Sequence, residues 1–115
     1  MSIYTDMAKI IDKRGLTHGR LINTDGECCL LGARALAFGE PPHDLVLNSG
    51  DYYTIEGIEE LAWLCKNKRW PLLSRSPYAD DVYMYNDLEL GSDKQLAFEL
   101  LEEAEAMRTS QLKDD

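Results

Sequence analysis

Residues 82–107, VYMYNDLELGSDKQLAFELLEEAEAM, decide the fold that we predict for this chain. An aromatic and apolar run leads to Asn86 and Asp87, two residue types that are typical of helix caps and turns. Ser92 and Gln95 follow with the spacing of a capping box, in which two side chains satisfy the free backbone N–H groups of a first helical turn. We therefore predict a structural junction here, followed by a final helix that begins at Ser92.

The final helix is amphipathic and strongly acidic. Apolar residues recur along it at helical spacing and predict one buried stripe: Leu96, Leu100 and Ala104 or Met107. The last quarter of the chain carries most of the net negative charge, and three carboxylates of the final helix are candidates for binding a partner: Glu99, Glu102 and Glu103. Residues 109–115 are polar, and we predict that they form a tail that frays.

Apolar residues at helical spacing predict further helices upstream, over residues 3–14, 30–38 and 54–67, with a short helix or turn at 80–86. Between the first two helices, Asp25 and Gly26 separate two β-compatible runs. This is a hairpin signal, because Gly takes positive φ without a Cβ clash. We thus predict an α+β fold that is mostly α, a compact bundle of four to five helices with one small β-hairpin at about residues 20–30.

The composition sets the broad class of the protein. With 115 residues, 44% of them hydrophobic, the chain suits one globular domain, which we place at residues 1–108. No apolar run approaches the roughly 20 residues of a membrane span, and the N-terminus lacks the basic start of a signal peptide. Three cysteines, an odd number, fit a reduced protein, so we predict a cytoplasmic location. The net charge of −9 repels phosphate and makes direct nucleic-acid binding unfavourable.

Two sequence motifs resemble those of a known family. The first motif consists of Asp25, Gly26, Cys29, Gly32 and Ala33. The second consists of Asn86, Asp87 and Ser92. Together they resemble an uncharacterised family of domains of unknown function that is encoded by actinobacteria and their bacteriophages. Tyr85 stands where that family usually has Trp, which keeps an aromatic ring but loses the indole N–H donor. The resemblance implies an actinobacterial or phage origin. It implies no activity, because the family has none to carry over.

Cys29 is the first candidate for catalytic chemistry. It lies between the end of a predicted strand and the start of a predicted helix, and a helix N-terminus can lower the pKa of a thiol. A small cysteine-dependent enzyme would pair Cys29 with His18 or His43. The plainer interpretation is a side chain that packs in the core as a small hydrophobe. Two histidines without a Cys-x-x-Cys pair give no closed zinc set, and no phosphate-binding loop is present, so we predict no metal and no cofactor.

A basic and aromatic stretch with Arg69 and Trp70 interrupts the acidic trend and is a second candidate for a partner surface. The alternative is a helix C-terminus whose cations complement the helix dipole. With no convergent catalytic set, we predict a non-enzymatic function: a small acidic protein, phage-encoded on the resemblance, that binds a host or partner protein. An acidic mimic that blocks a nucleic-acid-binding protein is a further alternative, and the final helix could also pair with its twin in a homodimer.

Overall fold

Helices make up the regular structure of this chain. The structure, a computed structural model, describes residues 2–19, 22–39 and 55–113, the last three by their backbone alone. Within these ranges it contains five α-helices and a turn of π-helix at Asn86–Leu90. The α-helices are α1 (Ile3–Arg14), α2 (Leu30–Ala37), α3 (Glu59–Arg69), α4 (Ala79–Tyr85) and α5 (Lys94–Lys113). The prediction of a mostly helical bundle of four to five helices is confirmed.

Local sequence signals set both ends of α1. The Ser2 hydroxyl accepts a hydrogen bond from the Thr5 amide (3.1 Å), which satisfies one of the free N–H groups of the first turn. At the other end Gly15, with a φ of +98°, donates its amide to the Ile11 carbonyl and ends the helix. Met7 and Ile11 are fully buried, so the apolar face that predicts this helix is also the face that packs.

The predicted capping box at Ser92 is wrong, because Asp93 caps α5 instead. The Asp93 carboxylate accepts a hydrogen bond from the Leu96 amide (3.2 Å), and its carbonyl accepts one from the Ala97 amide (3.2 Å). Ser92 lies outside the helix, with its hydroxyl 3.4 Å from Nδ1 of His18. Asp and Ser are equally good caps. The contact of Ser92 with the loop after α1 therefore favours Asp93 as the residue that caps α5.

The buried stripe of α5 differs from the prediction at one position. Leu96 is 42% exposed, whereas Ala97 is fully buried and begins a stripe that continues through Leu100, Leu101 and Ala104. These four residues have the spacing of one helix face. Ala97 was missed because alanine contributes little to a hydrophobic pattern.

Two helices also end or begin at residues other than those predicted. Residues 109–115 are predicted to form a fraying tail, but α5 continues to Lys113. Residue 54, the predicted start of the third helix, lies outside the described residues, and α3 begins at Glu59. Gly57 explains this start, because its φ of +85° is incompatible with a right-handed helix.

No strand forms in the described part of residues 20–30, so the predicted β-hairpin is wrong. The turn itself is present, and Gly26 has a φ of +88°. Cys28, however, makes only two isolated bridges, one to Leu16 and one to Ile22. Its amide and carbonyl both bond to the loop after α1, at 3.1 and 3.0 Å. Because that loop holds Cys28, and because α2 begins two residues later, no second pair extends the ladder among the residues that the structure describes.

The longest helix, α5, lies between the two halves of the bundle. It packs against α1 on one flank and against α3 on the other, while α2 packs on α1 and α4 packs on α3. A contact between α2 and α4 joins the halves on the far side. The Cα radius of gyration, 13.3 Å, is that of a compact domain of this length.

A buried carboxylate ties the loop before α4 to that helix. Asp81 is 1% exposed and accepts two hydrogen bonds from the Arg75 guanidinium (2.9 and 2.7 Å) and one from the Tyr78 amide (2.9 Å). Burial by itself would raise the pKa of this carboxyl. The hydrogen bonds from Arg75 and Tyr78 outweigh that effect and hold the pKa below its ordinary value.

We expect Asp81→Asn to lower the midpoint of thermal unfolding by about 5 °C at neutral pH. The folded pKa lies below the unfolded value of about 3.9, so the stabilisation is present above that pH and is lost as the pH falls through the folded pKa. The difference between the unfolding midpoints of wild type and variant should therefore be smaller at pH 3 than at pH 7. Asp80→Asn, at the exposed neighbouring carboxylate, is the control. An Asp81→Asn deficit of equal size at both pH values would contradict this account.

Candidate functional site

The outward carboxylates of α5 lie on two different flanks of the helix. Glu102 lies on the flank next to α1, together with Glu105, three residues further along. Glu99 and Glu103, four residues apart, lie on the opposite flank, next to the end of α3 and the π-helical turn. The structure therefore does not bring the three predicted binding carboxylates together.

A groove runs between α1 and α5, and we call it the α1–α5 groove. It has a volume of about 450 Å³. Apolar and aromatic side chains form its floor: Tyr4, Ala8, Phe98 and Leu101. Polar side chains form its rim: Thr5, Lys9, Asp12, Gln95, Glu102 and Glu105. An apolar floor beneath a rim with net negative charge suits an amphipathic ligand that carries positive charge.

Two carboxylates of the rim are available to a ligand. Asp12 and Glu102 are both exposed, and neither side chain forms an ion pair or hydrogen bond with any residue that the structure describes. The backbone carbonyl of Asp12 accepts a hydrogen bond from Lys94 (3.1 Å), which links α1 to the start of α5. The contacts that build the groove therefore leave its acidic side chains uncommitted.

Glu105 has an unusual environment within the groove. Its Oε2 atom is shielded from solvent and has no hydrogen-bond partner among the described residues. The other carboxylates of the interior have donors: Asp81 is held by Arg75, and Glu60 accepts a hydrogen bond from the Tyr4 hydroxyl (2.7 Å). A buried carboxylate oxygen without a donor is unfavourable, because it has lost water and gained nothing in exchange.

The opposite flank of α5 is occupied by ion pairs. Lys68 lies 3.3 Å from Glu103, and Arg69 lies 2.7 Å from Glu89. The Arg69 guanidinium also stacks on the Trp70 ring, 4.8 Å from its centroid. The predicted basic and aromatic surface is thus brought together in space, but its cations are engaged within the molecule.

A second hollow, of about 400 Å³, opens between α3 and α5 beside the half-exposed Trp63. Its two carboxylates already have donors. Glu59 accepts a hydrogen bond from the Gly57 amide (3.0 Å), and Glu60 lies 3.5 Å from Arg108 in addition to its bond from Tyr4. The α1–α5 groove is therefore the better site for a cationic ligand.

Asn86 is buried at the start of the π-helical turn. It is 1% exposed, and its Oδ1 accepts a hydrogen bond from the Leu30 amide (2.7 Å) at the start of α2. Its Nδ2 donates to the carbonyls of Thr17 (3.1 Å) and Gly91 (3.4 Å). The π-helical turn places this side chain inward, because it inserts an extra residue before the chain turns toward α5.

The neighbouring Asp87 completes the junction. Its Oδ1 accepts a hydrogen bond from the Gly19 amide (2.7 Å) in the loop after α1. Its charge, together with burial, raises the pKa of the Tyr83 hydroxyl. The Asn-Asp motif therefore fastens three segments that lie far apart in the sequence.

Cys29 also has a structural position. Its Sγ accepts a hydrogen bond from the Gly32 amide (3.4 Å) and caps α2, which explains the Cys-x-x-Gly spacing of the first motif. The side chain is 2% exposed, and burial raises the pKa of the thiol to about 12. His18 is exposed and contacts Ser92, while residue 43 lies outside the described residues. A protonated, enclosed thiol is a poor nucleophile.

Metal-binding and membrane-spanning features are both missing from the part of the chain that the structure describes. It holds no group of three or more His, Cys, Asp or Glu side chains that could bind a metal ion. None of its helices has the length and apolar character needed to cross a bilayer.

Sequence reasoning found one carboxylate of the groove, Glu102, and missed Asp12 and Glu105. The i, i+3 spacing of Glu102 and Glu105 was a usable signal, because it places both residues on one flank of a helix. Asp12 gave no signal, because its position follows only from the packing of α1 against α5.

Comparison with known proteins identifies a family. Residues 2–107 match a family whose description reads "Family of unknown function (DUF6197)". The matched range includes both motifs, all of α1 to α4 and the part of α5 that borders the groove. No curated protein and no solved structure matches the chain.

Proposed function

Because the chain belongs to this family of unknown function, it inherits no known activity, and we propose a function from its own surfaces. The protein acts without catalysis. It binds a basic, amphipathic segment of a partner protein in the α1–α5 groove. The observation that carries this proposal is the combination, in one groove, of an apolar floor and an acidic rim.

The shape of the groove suits a peptide segment. Its volume of about 450 Å³ lies within the range of about 300 to 1,000 Å³ that is typical of ligand pockets. Two helices form its walls, and Phe98 and Leu101 offer apolar contact along α5. An amphipathic helix can lay its apolar residues into such a groove while its polar residues remain at the rim.

The charge of the groove selects the sign of the ligand. The groove is lined by three acidic side chains, Asp12, Glu102 and Glu105, and by one basic side chain, Lys9. The net charge of −9 extends the same preference over the whole molecule and would accelerate the encounter with a basic partner at low salt. A second copy of this chain carries the same charge, which makes a homodimer through the groove unfavourable.

The setting that we propose is the cytoplasm of a bacterial host, with the gene carried by a phage. Three free, buried cysteines are consistent with a reducing compartment. The two sequence motifs support the proposed origin. The acidic-mimic alternative is less favoured, because the α5 carboxylates face two flanks instead of forming one row like the phosphates of a nucleic acid.

A charge-reversal experiment tests the groove. We expect the double substitution Asp12→Lys with Glu102→Lys to weaken binding of a fluorescently labelled, helical Leu/Lys peptide at least tenfold, about 1.4 kcal/mol. The control substitution, Asp25→Lys with Glu99→Lys, changes the net charge by the same amount away from the groove. Its effect should stay below about threefold. Fluorescence anisotropy at two salt concentrations measures the peptide affinity of both double variants, and urea unfolding checks that each variant is folded.

Two results would overturn the proposal. Equal weakening by both double variants would show attraction to the overall charge, without a defined site. Failure of the wild-type protein to bind the Leu/Lys peptide better than a matched Leu/Glu peptide would remove the preference for a basic ligand.

A further inference from the structure

We propose that two copies of this chain form a two-fold dimer in which Leu72 of each copy fills a hollow beside Trp63 of the other. The contact uses the end of the molecule formed by α3 and the loop that follows it. We call it the α3 surface, and it consists of Trp63, Leu72, Leu73, Pro77, Tyr78 and Met107. Dimerisation at this surface is independent of the proposed function, because the α1–α5 groove takes no part in it.

Leu72 projects from the α3 surface. Its side chain is 97% exposed, on a tight turn in which the Leu73 amide donates to the Trp70 carbonyl (3.1 Å). Trp63, Leu73 and Tyr78 are each exposed to nearly half. With Leu72 they make up four of the seven large hydrophobic side chains that are exposed in the described part of the chain. Such a concentration of exposed apolar side chains is typical of an interaction site.

The hollow between α3 and α5 lies on the same surface as this projection. Its volume is about 400 Å³, and its lining residues are Glu59, Glu60, Trp63, Pro77 and Met107. Pro77 follows Leu72 by only five residues, so the projection and the hollow are neighbours. A surface that carries both is self-complementary about a two-fold axis, because each copy fills the hollow of the other. The flexible Met107 side chain can adapt to an incoming leucine.

The distribution of charge favours a second copy at this end of the molecule. Residues 61–79 contain four cations and no carboxylate, and they form the longest stretch of the chain without an acidic residue. Lys68, Arg69 and Arg75 pair with carboxylates of other segments, which leaves the surface close to neutral. Two copies that each carry a net charge of −9 therefore repel each other least when these surfaces meet.

The residue types of the α3 surface are those of protein–protein interfaces. Trp, Tyr, Met and Arg are enriched in such interfaces, and Lys and Glu are depleted. The Arg75 guanidinium lies over the Tyr78 ring, 4.3 Å from its centroid, and its charge is matched by Asp81. The α1–α5 groove lies on the other flank of α5, so each copy in the dimer keeps its groove open.

Sedimentation equilibrium over a range of protein concentrations measures the dimer. We expect Leu72→Ser to weaken dimerisation at least tenfold, because serine removes the projecting apolar side chain. Leu88→Ser is the matched control, since Leu88 is an exposed leucine of the π-helical turn, outside the α3 surface. It should change the dissociation constant by less than about twofold. A wild-type protein that stays monomeric up to its solubility limit, or equal weakening by both variants, would overturn the proposal.

Urea unfolding of the two variants checks that the effect lies in association. At a concentration where the wild type is monomeric, both variants should unfold at the wild-type midpoint, because neither leucine is buried in the monomer. A lower midpoint for Leu72→Ser alone would assign Leu72 to the packing of its own chain and would count against the dimer.

The salt dependence separates this contact from ligand binding in the groove. Raising the salt concentration from about 50 to about 500 mM should strengthen dimerisation, because salt screens the repulsion between two acidic chains and leaves apolar contacts intact. Binding of a basic segment in the α1–α5 groove should weaken under the same change. Dimerisation that weakens with salt would show that ion pairs between the copies hold it, contrary to the neutral surface.

A photo-cross-link locates residue 72 in the dimer. Leu72→benzoylphenylalanine, in a mixture of isotopically heavy and light chains, should give heavy–light cross-linked peptides that contain Pro77 or Met107. Cross-links to Phe98 or Leu101 would place residue 72 in the α1–α5 groove of the second copy. That result would overturn the two-fold arrangement at the α3 surface.

Discussion

Replacing Asn86 with alanine is expected to lower the free energy of unfolding by about 3 kcal/mol. The side chain makes three hydrogen bonds in the interior, to the Leu30 amide and to the carbonyls of Thr17 and Gly91. Alanine leaves all three groups unmatched. The Leu30 amide matters most, because the first N–H groups of a helix have no acceptor within the helix and this one is buried.

Urea denaturation measures this loss as a lower midpoint with an unchanged slope. Asn67→Ala is the matched control, because Asn67 also donates to a backbone carbonyl, that of Trp63 (2.8 Å), but does so on the surface. It should cost less than about 0.5 kcal/mol.

Asn86→Asp sharpens the test. It keeps the shape and the acceptor but cannot donate to the two carbonyls, and it adds a buried charge, so it should cost at least as much as alanine. A loss below about 1 kcal/mol for either Asn86 variant would contradict the role of the junction.

Tyr4→Phe is expected to lower the free energy of unfolding by about 2 kcal/mol. The Tyr4 side chain is 1% exposed, and its hydroxyl donates to Glu60 (2.7 Å) and accepts a hydrogen bond from the Leu61 amide (3.1 Å). The Ile58 side chain, at the start of α3, cannot cap the helix. The Tyr4 hydroxyl of α1 therefore accepts the hydrogen bond from a first-turn amide that a capping side chain would accept. Burial and the Glu60 carboxylate raise the pKa of the Tyr4 hydroxyl, which keeps it a donor.

The control for Tyr4 is Tyr78→Phe. Tyr78 is half-exposed, and its ring lies beneath the Arg75 guanidinium, 4.3 Å from the centroid. Removing this hydroxyl should change stability by less than about 0.5 kcal/mol. Chemical denaturation of both variants decides the matter, and equal losses would show that the cap on α3 is not what Tyr4 contributes.

Features encoded by neighbouring residues were predictable from the sequence. The ends of α1 follow from Ser2 and Gly15, and the start of α2 follows from the change of pattern at Leu30. Each depends on contacts within about one helical turn. The same logic failed for α5, where Ser92 and Asp93 are both suitable caps and a contact with distant His18 favours the second.

The predicted hairpin does not form, and the reason again involves contacts between residues far apart in the sequence. A turn signal was present and the turn forms, but the backbone of Cys28 bonds to the loop after α1 instead of extending a ladder. Strand pairing depends on which edge is free in three dimensions, and a turn signal does not contain that information.

The candidate site was predicted only in part. Glu102 stood out because α5 is visibly acidic and amphipathic. Glu105 was not distinguished from its neighbours, because the burial of one carboxylate oxygen depends on how closely α1 approaches. The ion pair of Arg69 with Glu89 could not be predicted from the sequence, because the two residues are 20 positions apart.

The packing of α1 against α5 has a consequence for protein synthesis. These helices are the first and last that the structure describes, and the groove between them requires both. A ribosome makes about 5 to 20 residues per second, so α1 waits several seconds for its partner helix. During that interval α2 can already pack on α1, but the flank that α5 covers is open and the groove does not yet exist. We therefore expect a ligand of the groove to recognise completed chains and to ignore nascent ones.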